Sequence, residues 1–195
     1  MAETTRQRLI DAAGKRFYRD GFRSVGIDQI LADVGIGKTA FYKYYQSKDD
    51  LVLDVLNDHD RWFRDSFAAM IRKAGGEDPV QQLRAVFDVV EEIISDKDFH
   101  GCFFVNVAME FPLPHDPAHE AAVRNKAAIE EIIREVASRA GASDPVALAR
   151  EICLLMEGAY VTRQVTGTTE AARIAKQLGE RAIRDHVASS NKAGT

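Results

Sequence analysis

The sequence lacks several features that would indicate other classes of protein. No apolar run approaches the roughly 20 residues that a membrane-spanning helix needs, and the start, MAETTRQRLI, has no apolar core of a secretory signal. Cys102 and Cys153 are the only cysteines, so we expect no disulfide framework and a reducing compartment. Phosphate-binding glycine loops, dinucleotide fingerprints and nucleophile elbows are absent as well. We therefore predict a cytoplasmic protein without a membrane span or a cofactor, and not an enzyme.

The charge is unevenly distributed. Residues 1–48 hold nine Lys/Arg against five Asp/Glu, whereas residues 49–195 hold 17 against 25. A basic N-terminal segment on an acidic body is typical of a nucleic-acid-binding head joined to a module of another function, although ordinary fluctuation in surface charge gives the same numbers.

Residues 26–48, GIDQILADVGIGKTAFYKYYQSK, carry the most informative pattern. They predict a first helix over Ile27–Val34, with apolar residues at helical spacing, and Gly35 supplies the left-handed backbone that ends it. A second short helix, rich in Lys, Thr and Tyr, is predicted over Lys38–Tyr44. Two such helices joined by a tight turn form a helix-turn-helix, whose second helix enters the major groove of DNA.

The same segment resembles the tetracycline-repressor (TetR) family of bacterial one-component regulators. The matching residues are Phe17, Gly21-Phe22, Ile27-Asp28-Gln29-Ile30, Val34-Gly35-Ile36, Lys38-Thr39-Ala40-Phe41-Tyr42, Tyr45, Ser47-Lys48 and Leu51. The motif covers about the first 55 residues, and beyond them the resemblance is one of length, helix content and layout. Two positions depart from the usual pattern, because Val25-Gly26 and Gly37 stand where Thr or Ser commonly begins each helix. Glycine is also a tolerated helix cap.

Helical signals continue along the whole chain and predict an all-α protein of about nine helices. Thr4 with Gln7, and Ser47 with Asp50, form capping boxes, and Asp-Pro pairs open two later helices. We predict an N-terminal three-helix helix-turn-helix domain over 1–48, a helical ligand-binding and dimerisation domain over 49–189, and a disordered tail over 190–195. One helix is predicted from Gly101 to Phe111.

The predicted DNA contacts follow from the reach of each side chain. Lys38, Thr39 and Tyr44 are candidates for base edges, and Ala40 could touch a thymine methyl group. The remaining candidates are better placed for phosphates, with Lys48 at the start of a long helix whose dipole favours an anion. These are Tyr42, Lys43 and Lys48. Core packing is the alternative for Tyr42, and plain solvation for the two lysines.

The last two helices carry small and apolar residues on more than one face, which leaves one face for a second chain. By resemblance, TetR-like proteins form a two-fold dimer through a four-helix bundle of these helices. The alternative is that both faces belong to the chain's own core. The predicted interface residues are Ile152, Leu155, Gly158, Ala159, Ala171, Ala175, Leu178 and Ala182.

The predicted domain over 49–189 is rich in apolar and aromatic residues. This suggests a chamber for a small molecule, because such sites are mostly apolar with a few polar anchors. The alternative for each aromatic residue is ordinary core packing. The candidate lining residues are Trp62, Phe63, Phe67, Phe87, Cys102, Phe103, Asn106, Glu110, Met156 and Tyr160. The resemblance implies a repressor that a small, largely apolar effector releases from a palindromic DNA operator, and a homodimer located on the bacterial nucleoid when bound to DNA.

Two other kinds of chemistry have a partial signal in the sequence. His115 and His119, four residues apart, could begin a metal site, but no third ligand stands out and we predict no metal. Cys102 near His100 could form a thiol-based redox sensor or an enzyme with the helix-turn-helix as its output. Thiol reactivity separates these alternatives, since a sensor thiol has a low pKa and a core thiol is inert.

Overall fold

The computed structural model describes residues 4–190, with side chains as far as 187. Within that range the chain folds into nine helices and no strand, which confirms the predicted all-α architecture. The helices are α1 Thr5–Asp20, α2 Ile27–Val34, α3 Lys38–Phe41, α4 Lys48–Gly75, α5 Pro79–Ser95, α6 Phe103–Glu110, α7 Pro117–Arg139, α8 Pro145–Thr166 and α9 Glu170–Ser190. No helix in the described range is long and apolar enough to cross a membrane.

The described residues group into two compact units. The first contains residues 4–63 and 103–125, and the second contains residues 64–102 and 126–190. The first unit thus combines the helix-turn-helix with the start of α4, with α6 and with the first part of α7. The predicted domain boundary at residue 48 stays a prediction about which segments act as modules.

The core of the first unit forms because the apolar residues of short helices recur on one face. Leu9, Ala13 and Phe17 of α1 are almost fully buried, together with Ile30 of α2 and Phe41 of α3. Both predicted N-terminal caps are present, but only the second is a reciprocal capping box, because the Gln7 side chain donates to Asp11. The amide of Gln7 donates to the Thr4 hydroxyl over 3.2 Å, and Ser47 and Asp50 exchange backbone-to-side-chain hydrogen bonds.

The second helix of the motif is shorter than the sequence predicts. The α-helix ends at Phe41 rather than Tyr44, because the chain tightens there. The amide of Lys43 donates to the carbonyl of Ala40, and that of Tyr44 to the carbonyl of Phe41, which is three-residue spacing instead of four. Gly35, with φ +73°, ends α2 in the left-handed conformation, as predicted.

The second unit is built on close packing of α5, α8 and α9. Asp78 and Asp144 accept hydrogen bonds from the first turns of α5 and α8, each followed by a proline. The ring of Phe87 lies directly against Gly179, where a Cβ atom would overlap it. A side chain at this glycine would therefore force the two helices apart.

Two predicted boundaries differ from the structure. The sixth helix begins at Phe103 and ends at Glu110, inside the predicted Gly101–Phe111, because Gly101 has φ +92° and cannot continue into a helix. The last helix extends to Ser190, so the predicted disordered tail begins inside it, and residues 191–195 of that tail lie outside the described residues.

Candidate nucleic-acid interface and effector site

The segment from Lys38 to Tyr45 divides into a buried side and an outer side. Phe41 and Tyr45 are buried, and their rings contact each other with centroids 5.6 Å apart. Most of the residues predicted to contact DNA lie on the outer side. Lys38, Thr39, Tyr42, Lys43 and Tyr44 are exposed, and Ala40 is half-buried. Tyr42 is 58% exposed, so it does not serve as a core residue.

A polar network holds the buried side of this segment against its neighbours. The Tyr45 hydroxyl donates to Asp54 on α4 over 2.6 Å, and Arg6 on α1 pairs with the same carboxylate over 2.6 Å. Burial and the contact with Asp54 raise the pKa of Tyr45 well above its ordinary value. Three helical segments therefore share one carboxylate, which fixes the orientation of the outer face.

Lys38 has a protein partner on the outer face. Its ammonium lies 3.0 Å from the carboxylate of Asp28 on α2, and both side chains are largely exposed. The hydrogen bond with Asp28 raises the pKa of Lys38. Because the pair is open to solvent, it is weak and DNA can compete for the lysine. Asp28 was not predicted to act at this face.

Lys48 has a partner within the protein. Its contact with a phosphate stays a prediction, and in the structure it is half-buried and its ammonium donates to the carbonyl oxygen of Phe22 over 2.6 Å. The ammonium also lies 5.8 Å from the centroid of the Phe17 ring, and burial lowers its pKa. The Lys48 ammonium thus binds the loop between α1 and α2.

Glu110 also binds the backbone of this loop. Its place in an effector chamber stays a prediction, and its two carboxylate oxygens accept hydrogen bonds from the backbone amides of Phe22 (2.9 Å) and Arg23 (2.7 Å). Arg23 returns the contact, since its Nε donates to the carbonyl oxygen of Glu110 over 2.7 Å. The end of α6 is therefore bound to the same loop that Lys48 holds.

Gly26 and Gly37 begin α2 and α3 without a side-chain hydroxyl, as their sequence departure implied. Neither helix has a side-chain hydrogen bond at its cap residue. The Gln29 side chain instead accepts from the amide of Gly26 over 2.8 Å. This glutamine therefore supplies one of the two hydrogen bonds of a capping box, and Gly26 has no side chain to supply the other.

Within the first unit, an aromatic cluster gathers around Phe103. The imidazole of His59 stacks on this ring with centroids 4.0 Å apart, and Phe63 and Phe104 lie near the same imidazole. Trp62 joins the cluster at its edge and is 59% exposed. Burial lowers the pKa of His59 to about 4, against the opposing effect of Asp58 and Asp60, so the imidazole is neutral at pH 7.

His59 was missed by sequence reasoning. A single histidine between two aspartates gives no periodic signal, and only the fold shows that its ring lies among phenylalanines. Asn106, also predicted to line the chamber, belongs to α6 in this same unit and is half-buried.

The other predicted chamber residues belong to the second unit. Phe67, Phe87, Met156 and Tyr160 are buried there. Cys102 is half-buried, and its Sγ lies 3.1 Å from the ammonium of Lys126, which also pairs with Glu157 over 2.7 Å. Burial raises the pKa of the Cys153 thiol to about 12, which makes that thiol unreactive.

The predicted interface residues divide by exposure. Ile152, Ala159 and Ala175 are buried within the chain itself, whereas Leu155, Ala171 and Ala182 are half-buried, and Gly158 and Leu178 are exposed. Besides Val146 (40%) at its start, α8 exposes the large apolar side chains of Leu154 (74%), Val161 (43%) and Val165 (79%).

Together with Gly158, the latter three α8 residues follow spacings of four, three and four, so they form one stripe along the helix. Ile174 and Leu178, four residues apart, continue an exposed apolar face on α9. The stripe on α8 could have been found from this spacing. Burial within the chain was not readable from the sequence, because small residues covered several faces of both helices.

Comparison with protein families identifies two matching regions. Residues 9–55 match the family described as bacterial regulatory proteins, tetR family. Residues 79–178 match the tetracyclin repressor-like C-terminal domain. The two regions cover the helix-turn-helix and most of the second unit.

Individual relatives and solved structures agree with these matches. The transcriptional regulator AcuR of Cereibacter sphaeroides is 31% identical over 59% of this chain and 53% of its own, so the alignment spans about half of that relative. The HTH-type transcriptional regulator YjdC of Escherichia coli is 21% identical over 92% of this chain and 93% of its own. A TetR-family transcriptional regulator from Streptomyces coelicolor has a crystal structure that superposes with a TM-score of 0.86, at 28% identity, covering 94% of this chain and 96% of that one.

Proposed function

Because the chain belongs to the tetR family of bacterial regulatory proteins, which are DNA-binding transcriptional regulators, we propose that it is a repressor released from a palindromic operator by a small, largely apolar effector. The observation that carries this proposal is the exposed outer face from Lys38 to Tyr44, held in place by buried Phe41 and Tyr45. The protein acts in the bacterial cytoplasm, on the nucleoid when it is bound to DNA. The relatives are named as regulators and give the redox or enzymatic alternative no support.

In this proposal the outer face reads the major groove. Lys38 and Thr39 contact base edges together with Tyr44, Ala40 meets a thymine methyl group, and Tyr42 and Lys43 contact phosphates. The support is exposure and residue type. Lys38, Thr39 and Tyr44 each carry a hydrogen-bond donor or acceptor on the solvent side of the segment.

Selection of bound duplexes from a random library tests this assignment. The wild-type protein should select a palindrome with half-sites about one helical turn apart, since a two-fold dimer presents the same helix twice. Lys38→Ala and Thr39→Ala should change the selected bases, at about 1–3 kcal/mol per lost contact. Lys43→Ala, the phosphate control, should weaken binding without changing the consensus. An unchanged consensus for the first two variants would refute the assignment.

We place the dimer interface on the exposed faces of α8 and α9. Its support is the apolar stripe of Leu154, Gly158, Val161 and Val165, since isolated apolar side chains are common on surfaces but an aligned row of them indicates a contact. Leu154→Glu should give a monomer in sedimentation velocity. Leu113→Glu is the matched control, an exposed leucine in the loop before α7, and it should remain dimeric. A dimeric Leu154→Glu variant would move the interface elsewhere.

The effector is proposed to contact the aromatic cluster around Phe103. The support is chemical. A neutral imidazole stacked among aromatic rings provides an apolar environment in which its two ring nitrogens are the polar atoms. Trp62 is the chain's single tryptophan and lies at the edge of this cluster, so its fluorescence reports binding there. Among a panel of apolar small molecules, those that release operator DNA should also change this fluorescence.

The matched variants are Phe63→Ala, within the cluster, and Met109→Ala, an exposed residue on α6. Phe63→Ala should reduce the affinity for such a compound, and Met109→Ala should not. A compound that releases DNA with equal affinity for both variants and with unchanged tryptophan fluorescence would place the effector elsewhere.

A further inference from the structure

The loop between α1 and α2 is held by two partners at a single residue, Phe22. Its amide donates to Glu110 at the end of α6, while its carbonyl oxygen accepts from Lys48 at the start of α4. Lys48 lies three residues after Tyr45, the end of the segment that carries the outer face, and the loop leads directly into α2. The backbone of Phe22 therefore connects the end of α6 to both ends of the helix-turn-helix.

The contact at Glu110 requires both oxygens of a carboxylate. Both oxygens are used, one by each of two consecutive amides, and a charged acceptor makes such bonds stronger than neutral ones. The preceding Gly21 has φ +89°, and a Cβ atom there would lie 3.3 Å from the Glu110 carboxylate. A larger residue at this position would strain the backbone and press on the carboxylate.

Arg23 fastens the loop to the main chain of α6. Its Nε donates to the carbonyl of Glu110, one of the last carbonyls of the helix, which have no partner within the helix. Its guanidinium also lies 5.2 Å from the centroid of the Phe111 ring. The positive charge at a helix C-terminus is favourable to the helix dipole.

The side chain of Phe22 reaches both ends of α6. Its ring lies 5.3 Å from that of Phe103, the first residue of the helix, and 6.1 Å from that of Phe111, just beyond the last. An eight-residue helix is about 12 Å long and rigid. Since Phe103 also stacks on His59, α6 contacts the aromatic cluster through its first residue and the loop at both of its ends.

We propose that Glu110 is the positioning residue through which α6 and the helix-turn-helix are coupled, so that operator DNA bound by the head stiffens α6 through the loop at Phe22. This inference rests on the proposed DNA-binding function and adds the route by which the effector cluster communicates with the head. By linkage, a contact that lets DNA affect α6 also lets α6 affect DNA binding.

Hydrogen exchange of the full-length protein tests the coupling without knowledge of the effector. The probe is the duplex obtained by selection with the wild-type protein, added to saturation, and the measured segments are 103–111 on α6 and 38–45 at the recognition face. In the wild type, the duplex should slow exchange in both segments. In Glu110→Gln, it should slow exchange only in 38–45, because glutamine has one acceptor oxygen in place of two and presents N–H groups to a backbone donor.

The matched control is Glu120→Gln, the same change on α7 of the same unit, where the carboxylate pairs with Arg124 on its own helix. It should behave as the wild type. Without DNA, Glu110→Gln should also raise exchange at 21–25 by about fivefold, the effect of losing one ordinary hydrogen bond. Arg23→Ala, which leaves the carboxylate intact, is the second variant and should reduce the protection of 103–111 if Glu110→Gln does not fold.

The possible results separate the two proposals. Equal DNA-induced protection of 103–111 in wild type and Glu110→Gln would overturn the coupling, as would protection of 38–45 without any protection of 103–111 in the wild type. Failure to select a duplex, or absence of protection at 38–45, would overturn the DNA-binding function and the coupling together.

Discussion

Lowering the pH from 7 to 5 should destabilise the protein through His59. The imidazole stacks on Phe103, and burial lowers its pKa from 6.5 to about 4 in the folded state. Between these two values the unfolded chain carries a proton on this histidine that the folded chain does not. Stability therefore rises with pH across this window and is lost as the pH falls from about 6.5 towards 4.

The magnitude follows from the shift. Each pKa unit corresponds to about 1.4 kcal/mol, so the full effect over the window is about 3 kcal/mol, of which about 2 kcal/mol is lost between pH 7 and pH 5. The two neighbouring carboxylates, Asp58 and Asp60, oppose the shift by stabilising the imidazolium. Removing either charge should lower the pKa of His59 further.

Urea unfolding at fixed protein concentration, at pH 7 and pH 5, measures this loss. The concentration must be fixed because the proposed dimer would make the apparent stability depend on protein concentration. His59→Phe keeps a ring against Phe103 and removes the titration, so its loss of stability between the two pH values should be smaller by about 2 kcal/mol. His115→Gln, at an exposed histidine, should lose as much as the wild type. An equal loss in His59→Phe and the wild type would refute the reasoning.

Three further predictions test other parts of the structure. Gly179→Ala should lower the free energy of unfolding by about 1–3 kcal/mol, because its Cβ overlaps a ring on α5. Gly14→Ala, whose Cβ would make an ordinary contact with Val55 at 3.5 Å, should raise it by about 0.5–1 kcal/mol in the same urea assay. Asp28→Asn should tighten binding to every duplex, by less than about fivefold in anisotropy titrations at low salt, because it releases Lys38 from an exposed ion pair; an unchanged affinity would mean that the pair does not restrain the lysine. Cys153 should resist alkylation by iodoacetamide at pH 8, because its pKa is raised to about 12, and rapid modification in peptide mapping would contradict its burial.

The helices could be predicted because their signals are local. Caps such as Thr4 and Asp144, the glycine at 35 and the proline at 79 each act within one turn of chain, and the structure has helix ends at or beside all of them. The outer face of the recognition segment was predictable for the same reason, since Phe41 and Tyr45 identify the buried side by spacing alone.

The roles of Lys48 and Glu110 depend on contacts between residues distant in sequence. Nothing in the pattern around Lys48 indicates that its partner is a carbonyl 26 residues earlier. Glu110 lies 88 residues from the amide of Phe22, and from the sequence it was predicted to be a polar anchor of the effector chamber. In both cases the charged group meets a backbone group, and backbone partners leave no trace in residue type.

The most direct test of the central claim is a comparison of two labelled duplexes in fluorescence anisotropy. One is the palindrome selected by the wild-type protein, and the other is the same duplex with one half-site scrambled. The protein should bind the intact palindrome with a Kd at least about a thousandfold lower, and the logarithm of its affinity should fall linearly with the logarithm of salt concentration. Equal affinity for both duplexes, or binding insensitive to salt, would contradict the assignment of this protein as a dimeric, sequence-reading repressor.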